Sequence, residues 1–245
     1  MTRALDVIRS VLLWTAAFPI FILACLSILA VALVYRGPGL ERVIKFGCRA
    51  VLFAAGVRIR LHGREHFEPG RRYLMMMNHV NLLDPLVFYA RFPGFARTVE
   101  EECHFRWPVY GWMIRRIGQI PINRVNPRKA AASLARAGEF IRARSEFSFI
   151  VFPEGTRTPD GKLGPFKRGG FLLAREAGLD ILPIIQVGSY RIMRKGSRLL
   201  RPGRVDLFIE PAVALTGSSR EDTADWMARV RRVFEDKAEG SGLAL

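Results

Sequence analysis

The sequence predicts an α/β sandwich over residues 58–245, preceded by a hydrophobic and amphipathic two-helix membrane anchor over residues 1–57. Two observations lead to this division. Residues 11–34 contain no charged side chain, and a run of that length can cross about 30 Å of hydrocarbon. From residue 58 onward, short apolar runs alternate with amphipathic stretches, which is the pattern of strands and helices in a layered α/β domain.

The apolar run of the first helix exceeds the roughly 7–15 residues of a signal-peptide core, which favours a membrane helix. A cleavage-like Ala30-Val31-Ala32 keeps a secretory signal open, and a buried helix is a further alternative. More basic residues follow the run than precede it, so the positive-inside rule predicts that the rest of the chain is cytoplasmic. Pro19 lies inside the run, and a helix broken there and dipping into one leaflet would satisfy the same residues as a spanning helix.

A second helix is predicted over residues 40–57, and its basic residues form a stripe. Arg42, Lys45 and Arg49 lie at i, i+3 and i+7 on one face of an otherwise mostly apolar segment. This pattern is typical of a helix in the membrane interface, with its cations among anionic lipid head groups. The alternative is an amphipathic helix that packs on the domain.

The overall charge favours anionic partners. The chain has 38 Lys and Arg against 22 Asp and Glu, a net charge of +16. Such a charge suits nucleic acid, an anionic membrane surface or a phosphorylated substrate, and does not choose among them. The three cysteines are odd in number and far apart, which argues against a disulfide framework and fits a reducing compartment.

Within the second segment, periodicity predicts the order of the elements. Strands are predicted at residues 57–62, 73–77, 120–122, 147–152, 181–187 and 205–210. Helices are predicted at residues 85–90, 107–117, 127–144 (capped by Asn126) and 169–177, and a final helix begins at a Ser218–Glu221 capping box. The alternation of the two predicts helices packed on a central sheet.

The stretch from Asn78 to Pro85 carries the first candidate chemistry. His79 follows the predicted strand at residues 73–77, and Asp84 with Pro85 resembles a helix start with Asp84 as N-cap. A turn between them can fold the carboxylate back onto the imidazole, which would make His79 a general base at neutral pH. A surface histidine beside a capping aspartate is the alternative.

Three further motifs could carry chemistry, and the first two also follow predicted strands. Arg124 ends a Gly-x-Ile-Pro-Ile-x-Arg stretch, Glu154 and Arg157 lie in Phe-Pro-Glu-Gly-Thr-Arg, and Lys167 lies in a basic glycine-bearing loop. Ligands of α/β sheets bind outside the carboxyl ends of the strands. Two guanidinium groups converging there would hold a phosphate bidentately. Alternatively, Arg124 is a surface residue and Glu154 pairs locally with Arg157.

Taken together, these motifs and the Ile181-Leu182-Pro183-Ile184 stretch resemble the four motifs of the glycerolipid acyltransferases. The similarity covers roughly residues 74–186 and is greatest to bacterial 1-acyl-sn-glycerol-3-phosphate (lysophosphatidic acid) acyltransferases. The resemblance implies a glycerolipid-acyltransferase-like α/β sandwich. It also implies a membrane-bound enzyme that moves a fatty acyl group from an acyl thioester to the sn-2 hydroxyl of 1-acyl-glycerol-3-phosphate, forming phosphatidic acid in phospholipid biosynthesis.

On that resemblance, His79 and Asp84 are the catalytic pair. The expected substrate-binding residues are Arg124, Glu154, Gly155, Thr156, Arg157, Lys167 and Pro183, the last in an acyl-binding wall. Thioester transfer needs a base, positioning and oxyanion donors, so no cofactor is expected. The remaining histidines lack metal-ligand spacing, so no metal site is expected either. The donor is acyl-carrier protein or acyl-CoA, and the location implied is the cytoplasmic membrane.

One departure from the family pattern keeps a second acceptor open. Many members carry a lysine near the phosphate pocket between the first two motifs, where this chain reads Glu100-Glu101-Glu102. Either these acids point away from the phosphate, or the acceptor is another lysolipid such as lyso-ornithine lipid.

Two other classes of protein compete with the acyltransferase. The net charge alone suggests a basic membrane-anchored nucleic-acid-binding protein. Against it, the basic residues are dispersed, and Arg157 lies beside Glu154 rather than beside stacking aromatics. No nucleic acid is therefore expected as partner. A non-catalytic membrane scaffold is the third hypothesis, and the intact His79–Asp84 pair disfavours it.

Overall fold

The computed structural model describes residues 2–35, 37–123, 127–144, 146–215 and 220–241. Over these residues, seven strands form one sheet: β1 (Val57–His62), β2 (Leu74–Met77), β3 (Ala96–Glu101), β4 (Ile120–Ile122), β5 (Ser148–Val151), β6 (Ile181–Val187) and β7 (Gly203–Ile209). Their order across the sheet is β1-β7-β6-β2-β5-β3-β4.

The sheet is parallel except at one pair of strands, and this pair determines which strand ends lie at each edge of the sheet. All neighbouring strands are parallel except β6 and β7, which are antiparallel. The first residues of β1 and β7 therefore lie at the same edge as the last residues of the other five strands. We call this the carboxyl edge, because β2, β5 and β6 end there.

Helices cover both faces of the sheet, as the sequence predicts. One face carries α1 (Thr2–Val34), α2 (Pro38–Ala54), α3 (Asp84–Arg91) and α4 (Tyr110–Ile117); the other carries α5 (Pro127–Arg142), α6 (Arg168–Ala177) and α8 (Arg220–Ser241), while the short α7 (Ser189–Ile192) follows β6. Alternate side chains of each strand enter the two apolar clusters. In β2, Met75 and Met77 join the first cluster and Leu74 and Met76 the second. The predicted α/β sandwich is confirmed.

Helix α1 packs along the domain at both of its ends. Near its beginning, Asp6 pairs with Arg201 at 3.0 Å, and the Trp14 indole N–H donates to the Arg198 carbonyl at 2.8 Å. Near its end, the Arg116 guanidinium of α4 donates to the carbonyls of Ala32 and Leu33 at 2.9 and 3.0 Å. The segment Ala4–Val34 is long and apolar enough to cross a membrane, yet it lies across the α/β domain.

Two of the three basic residues in the α2 stripe bind the protein itself. Lys45 Nζ donates to the Pro93 carbonyl at 3.4 Å, and Arg49 Nε donates to the Ala90 carbonyl at 2.8 Å. These carbonyls lie at the C-terminal end of α3, where cations are favoured by the helix dipole. The interpretation of this stripe as a set of lipid head-group contacts is therefore wrong for Lys45 and Arg49, and the packed-helix alternative holds.

Strand β3 is the element that periodicity misses. Arg97 in its middle is buried and forms an ion pair with the buried Glu41 of α2. Its guanidinium also lies 3.9 Å from the ring centre of Phe147. The next residue, Thr98, is buried against the Tyr89 hydroxyl at 2.9 Å. Two polar side chains in the core break the apolar run by which a strand is recognised.

Two predicted capping features lie outside the residues whose details are described. Asn126, Ser218 and the Glu221 side chain belong to this group. A third is corrected. Leu83 is the N-cap of α3, and Asp84 is its first helical residue.

Candidate active site

His79 and Asp84 meet at the carboxyl edge of the sheet, just after β2. Asp84 Oδ2 accepts from His79 Nδ1 at 2.7 Å. The imidazole is 15 % exposed and the carboxylate fully buried. Because an oxygen accepts at Nδ1, that nitrogen carries the proton and Nε2 carries the lone pair. Nε2 has no hydrogen-bond partner among the described residues, so it is the basic atom offered to a ligand.

Asp84 was expected to cap helix α3, but its carboxylate binds the loop that precedes the helix. The same Oδ2 accepts from the backbone N–H groups of Val80 and Asn81 at 2.6 and 2.9 Å. The carboxylate therefore folds backward onto the turn and does not cap α3. This arrangement fixes the distance between the carboxylate and the imidazole, because both sides of the turn are tied to one oxygen.

Both backbone polar groups of His79 are also occupied. Its N–H donates to Glu154 Oε2 at 2.6 Å, and its carbonyl accepts from the N–H of Thr158 at 2.8 Å. The imidazole stacks on Phe152, with ring centres 4.0 Å apart. The end of β5 therefore positions the residue that follows β2, its neighbour in the sheet. These contacts restrict the imidazole to one orientation.

The Glu154 carboxylate accepts hydrogen bonds from backbone N–H groups of the site. Its second oxygen accepts from the N–H of Gly164 at 3.2 Å, so both carboxylate oxygens face backbone donors. The alternative in which Glu154 pairs with Arg157 is therefore wrong. Burial raises the pKa of Glu154 from 4.5 to about 7, although the hydrogen bonds from His79 and Gly164 partly lower it.

Two asparagines that sequence reasoning left without a role join the loop to β6 and to α7. Asn78 exchanges hydrogen bonds with the backbone of Gln186, at 2.9 Å as donor and 2.8 Å as acceptor. Asn81 donates to the Ser189 carbonyl at 2.9 Å. Both are buried. Their position beside His79 is the only signal in the sequence, because their partners are 108 residues away.

Three cations surround the turn after β5. Arg157 is half-buried and has no hydrogen-bond or ion-pair partner in the part of the chain that the structure describes. The Lys167 side chain lies over Gly155, where an added Cβ would come within 3.2 Å of Nζ. Lys195, from the loop after α7, donates to Thr156 Oγ1 at 3.0 Å. Nothing in the sequence indicates Lys195, because this contact spans 39 residues.

The geometry of Gly155 makes room for this arrangement. Its φ is +67°, in the left-handed region that favours glycine. Its N–H donates to the Phe152 carbonyl at 3.0 Å, so this group, which is a candidate oxyanion donor, is already engaged. Arg124, the other predicted phosphate ligand, lies outside the described residues.

Pro183 lies in the middle of β6, opposite Met76. Both neighbours of Pro183, Leu182 and Ile184, belong to the first apolar cluster, so Pro183 faces the second. An apolar cleft lies on the other face of the sheet, between α1, α2, α3 and α4. The expected acyl-binding wall therefore does not include Pro183 if this cleft holds the acyl chain.

The cleft has one acidic residue in its wall. Glu100 Oε1 accepts from the Tyr110 hydroxyl at 2.8 Å and from His104 Nδ1 at 2.9 Å. Burial, followed by the charge of Glu100, raises the pKa of Tyr110. Glu102 accepts instead from the Asn123 amide at 2.9 Å. Glu100 and Glu102 are thus engaged by neighbouring side chains, while the choice between the two alternatives for the acceptor stays a prediction.

One group of potential metal ligands is present in the described ranges. Glu101, Cys103 and His104 place one ligand atom each within 4.8 Å of the others. His104 Nδ1 already bonds Glu100, and Cys103 is exposed. Apart from their proximity, no feature of the described residues points to a metal ion at this group.

Comparison with known proteins identifies relatives of the chain. A family model described as acyltransferase matches residues 58–187. The 1-acyl-sn-glycerol-3-phosphate acyltransferase of Pseudomonas aeruginosa is 29 % identical over 203 residues, which cover 80 % of this chain and 77 % of that protein. The chloroplastic 1-acyl-sn-glycerol-3-phosphate acyltransferase BAT2 of Brassica napus is 34 % identical over 137 residues.

The Brassica match covers 56 % of this chain and 39 % of that protein. A 1-acyl-sn-glycerol-3-phosphate acyltransferase of Limnanthes douglasii is 29 % identical over 184 residues, which cover 75 % of this chain and 64 % of that protein. The chain thus spans less than two thirds of the length of these plant relatives. Among solved structures, the 1-acyl-sn-glycerophosphate acyltransferase PlsC of Thermotoga maritima superposes with a TM-score of 0.78 at 23 % identity. That match covers 96 % of this chain and 98 % of PlsC, which establishes the shared fold.

Proposed function

Because this chain belongs to the acyltransferase family, we propose that it is a membrane-bound 1-acylglycerol-3-phosphate O-acyltransferase. It transfers a fatty acyl group from a thioester to the sn-2 hydroxyl of lysophosphatidic acid and forms phosphatidic acid. The observation that carries the proposal is the imidazole of His79, with Nδ1 on Asp84 at 2.7 Å and Nε2 offered to a ligand.

In the proposed reaction, Nε2 of His79 takes the proton of the acceptor hydroxyl as its oxygen attacks the thioester carbonyl. The C–O bond forms, and the carbonyl electrons move to oxygen to give a tetrahedral intermediate. When the intermediate collapses, the C–S bond breaks, and the thiolate leaves with the proton from Nε2. Asp84 stabilises the imidazolium between the two proton transfers, and a base of this kind contributes about 10²–10⁴-fold.

The acceptor phosphate is expected at the turn after β5. Arg157, Lys167 and Lys195 converge there, and Thr158 in the same turn bonds the carbonyl of His79. A phosphate held by these cations would place the glycerol hydroxyl against Nε2. Such positioning converts a bimolecular step into an effectively unimolecular one. Lys195 would supply from another loop the lysine that relatives carry near Glu100.

The acyl chain is expected in the apolar cleft between the first four helices. The cleft passes Pro85 and Leu86, directly after the catalytic Asp84. Its wall is formed by apolar residues of four helices, which include Phe21, Ile28, Ile44, Val51 and Met113. An apolar pocket beside the reacting groups removes the acyl chain from water, which favours binding.

Helix α1 is proposed to lie in one leaflet of the cytoplasmic membrane, with the α/β domain on the cytoplasmic side. Contacts at both ends tie α1 to the domain, through Asp6 and Trp14 at one end and Ala32 at the other. A helix held along its length in this way cannot cross the bilayer unless the domain enters too. The exposed apolar side chains of α1 then face the acyl chains of lipids, which suits an enzyme that uses a lipid acceptor.

A transfer assay with purified protein tests this proposal. Radiolabelled acyl-CoA or acyl-carrier protein would be offered with lysophosphatidic acid, lyso-ornithine lipid and lysophosphatidylcholine, and the products separated by chromatography. We expect labelled phosphatidic acid as the main product. Transfer to lyso-ornithine lipid with none to lysophosphatidic acid would favour the alternative acceptor, and no transfer to any acceptor would contradict the enzymatic proposal.

A further inference from the structure

Three arginines form an exposed cluster at the carboxyl edge of the sheet, apart from the candidate active site. Arg58 and Arg60 of β1 and Arg204 of β7 line one groove together with Phe53. Arg58 and Arg204 lie directly opposite each other in the parallel register. Residues two apart on a strand point to the same face, so Arg60 follows Arg58 on that face. We call these three residues the edge arginines.

The stability of the fold does not explain this cluster. Arg58 and Arg60 are exposed, and neither has a hydrogen bond or ion pair with any residue that the structure describes. Arg204 donates to Asp206 at 2.8 Å, while its side chain stays 50 % exposed. Like charges directly opposite each other on adjacent strands destabilise a sheet. Asp206, which lies opposite Arg60 and binds Arg204, offsets part of that repulsion, and an anionic ligand would offset the rest.

The edge arginines adjoin the exposed apolar surface of the first two helices. Phe46 and Phe53 are seven residues apart on α2, on one helical face, and are 73 % and 86 % exposed. Gly56 packs on α1, where an added Cβ would lie 3.6 Å from Leu13. The preceding residue of α1, Leu12, is 64 % exposed. The side chains of the edge arginines project from the other face of the sheet, because Val57 and Ile59, which alternate with them, pack on the face of α1 and α2. They meet the apolar surface at its end, where Phe53 lines the groove with them.

We propose that the edge arginines bind the phosphate groups of anionic phospholipids at the boundary where α1 and α2 enter the bilayer. Guanidinium groups pair bidentately with phosphate oxygens, and head groups lie directly above the apolar layer of a membrane. The inference rests on the proposed membrane association of the chain. On this proposal, arginines of β1 and β7 contact the anionic lipids. Lys45 and Arg49 of the α2 stripe do not, because they bind carbonyls at the end of α3.

A lipid surface fits this site better than an acidic carrier protein. The groove continues into the exposed apolar side chains of α1 and α2, and a bilayer matches both the charged and the apolar part. Its consequence is a measurable preference for anionic membranes. Each basic residue near such a surface contributes about 1 kcal/mol, so three should raise binding on the order of 100-fold.

Vesicle binding by the full-length protein tests the site. Wild type and Arg58→Gln/Arg60→Gln/Arg204→Gln would be compared on vesicles of phosphatidylcholine alone and of phosphatidylcholine mixed with phosphatidylglycerol. We expect the wild type to prefer the anionic vesicles, and the variant to keep neutral binding and lose most of that preference. A control with the same net charge replaces three exposed arginines of α5 and α8, outside the groove: Arg136, Arg142 and Arg232. The control should keep the preference.

Four results would overturn the proposal. If the triple variant has an unchanged unfolding midpoint and still prefers anionic vesicles, the edge arginines are not the head-group site. That result would leave the proposed membrane placement of α1 and α2 standing. Equal losses in variant and control would assign the effect to net charge. An unchanged vesicle preference with weaker use of acyl-carrier protein would assign the arginines to a carrier-protein surface. Failure of the wild type to bind either vesicle would overturn the membrane placement together with the site.

Discussion

Two histidines of this chain bind an aspartate, and they lie at opposite edges of the sheet. His79 and Asp84 meet at the carboxyl edge, at 2.7 Å. His62 ends β1, which runs against β6, and its Nε2 bonds Asp206 at 2.9 Å. Both imidazoles stack on a phenylalanine, Phe152 in the first pair and Phe208 in the second.

The two histidine–aspartate pairs differ in their burial and in their other hydrogen-bond partners. Asp84 accepts two backbone N–H groups besides His79 and is fully buried. Asp206 is shared with Arg204, and the His62 side chain is 42 % exposed. Burial would raise the pKa of Asp206, but the hydrogen bonds from His62 and Arg204 bring it below its usual value. A histidine–aspartate contact therefore indicates a general base only where the backbone also fixes both partners.

The largest expected effect comes from removing the two imidazoles in turn. His79→Ala should lower the turnover number by about 10²–10⁴-fold, because the base that accepts the hydroxyl proton is lost. His62→Ala is the matched control and should keep nearly all activity. Initial rates of acyl transfer check both. Comparable losses in the two variants would show that the second pair also serves the reaction.

The two aspartates give the second comparison. Asp84→Asn places an amide where three donors now meet one oxygen, so both the tautomer of His79 and the turn should be disturbed. We expect a loss of turnover of about 10²-fold or more and a lower unfolding midpoint. Asp206→Asn should leave turnover nearly unchanged. An Asp84→Asn enzyme with normal rates would contradict the role of the aspartate.

The cations beside His79 sharpen the comparison, because Arg157 has no ion-pair partner among the described residues, whereas Arg204 in the second pair is already bound to Asp206. Arg157→Lys should raise the Michaelis constant for lysophosphatidic acid about tenfold, since an ammonium cannot form the two parallel bonds of a guanidinium. The constant for the acyl donor should change less. Arg142→Lys, at an exposed position of α5, is the control. A rise confined to the donor constant would place the donor at Arg157.

The buried Glu154 gives the smallest effect, on stability. Its native pKa of about 7 lies above the ordinary 4.5, so the native chain binds more protons than the unfolded chain between these values. The free energy of unfolding should therefore fall as the pH rises through this window, by at most about 3 kcal/mol. Glu154→Gln should flatten that dependence, and Glu139→Gln, which changes an exposed glutamate, should not. Denaturant titrations at several pH values measure the slope.

The sequence predicts the parts of this molecule that depend on neighbours along the chain. The strand before His79 is an unbroken apolar run, and His79 and Asp84 are five residues apart, so one turn can join them. Lys195 and the His79 contact of Glu154 depend on loops that meet only in the folded sheet. Strand β3 was missed because Arg97 is neutralised by Glu41, which lies 56 residues earlier.

The buried pair of Glu41 and Arg97 has a practical consequence for preparing the enzyme in water. It joins α2 to β3 across the proposed boundary at residue 57, so a truncated chain would keep Arg97 in the core without its carboxylate. Breaking a buried pair in this way costs about 3–5 kcal/mol. A detergent-free enzyme should instead be sought by making Phe46 and Phe53 polar on the full-length chain, with Glu41 retained.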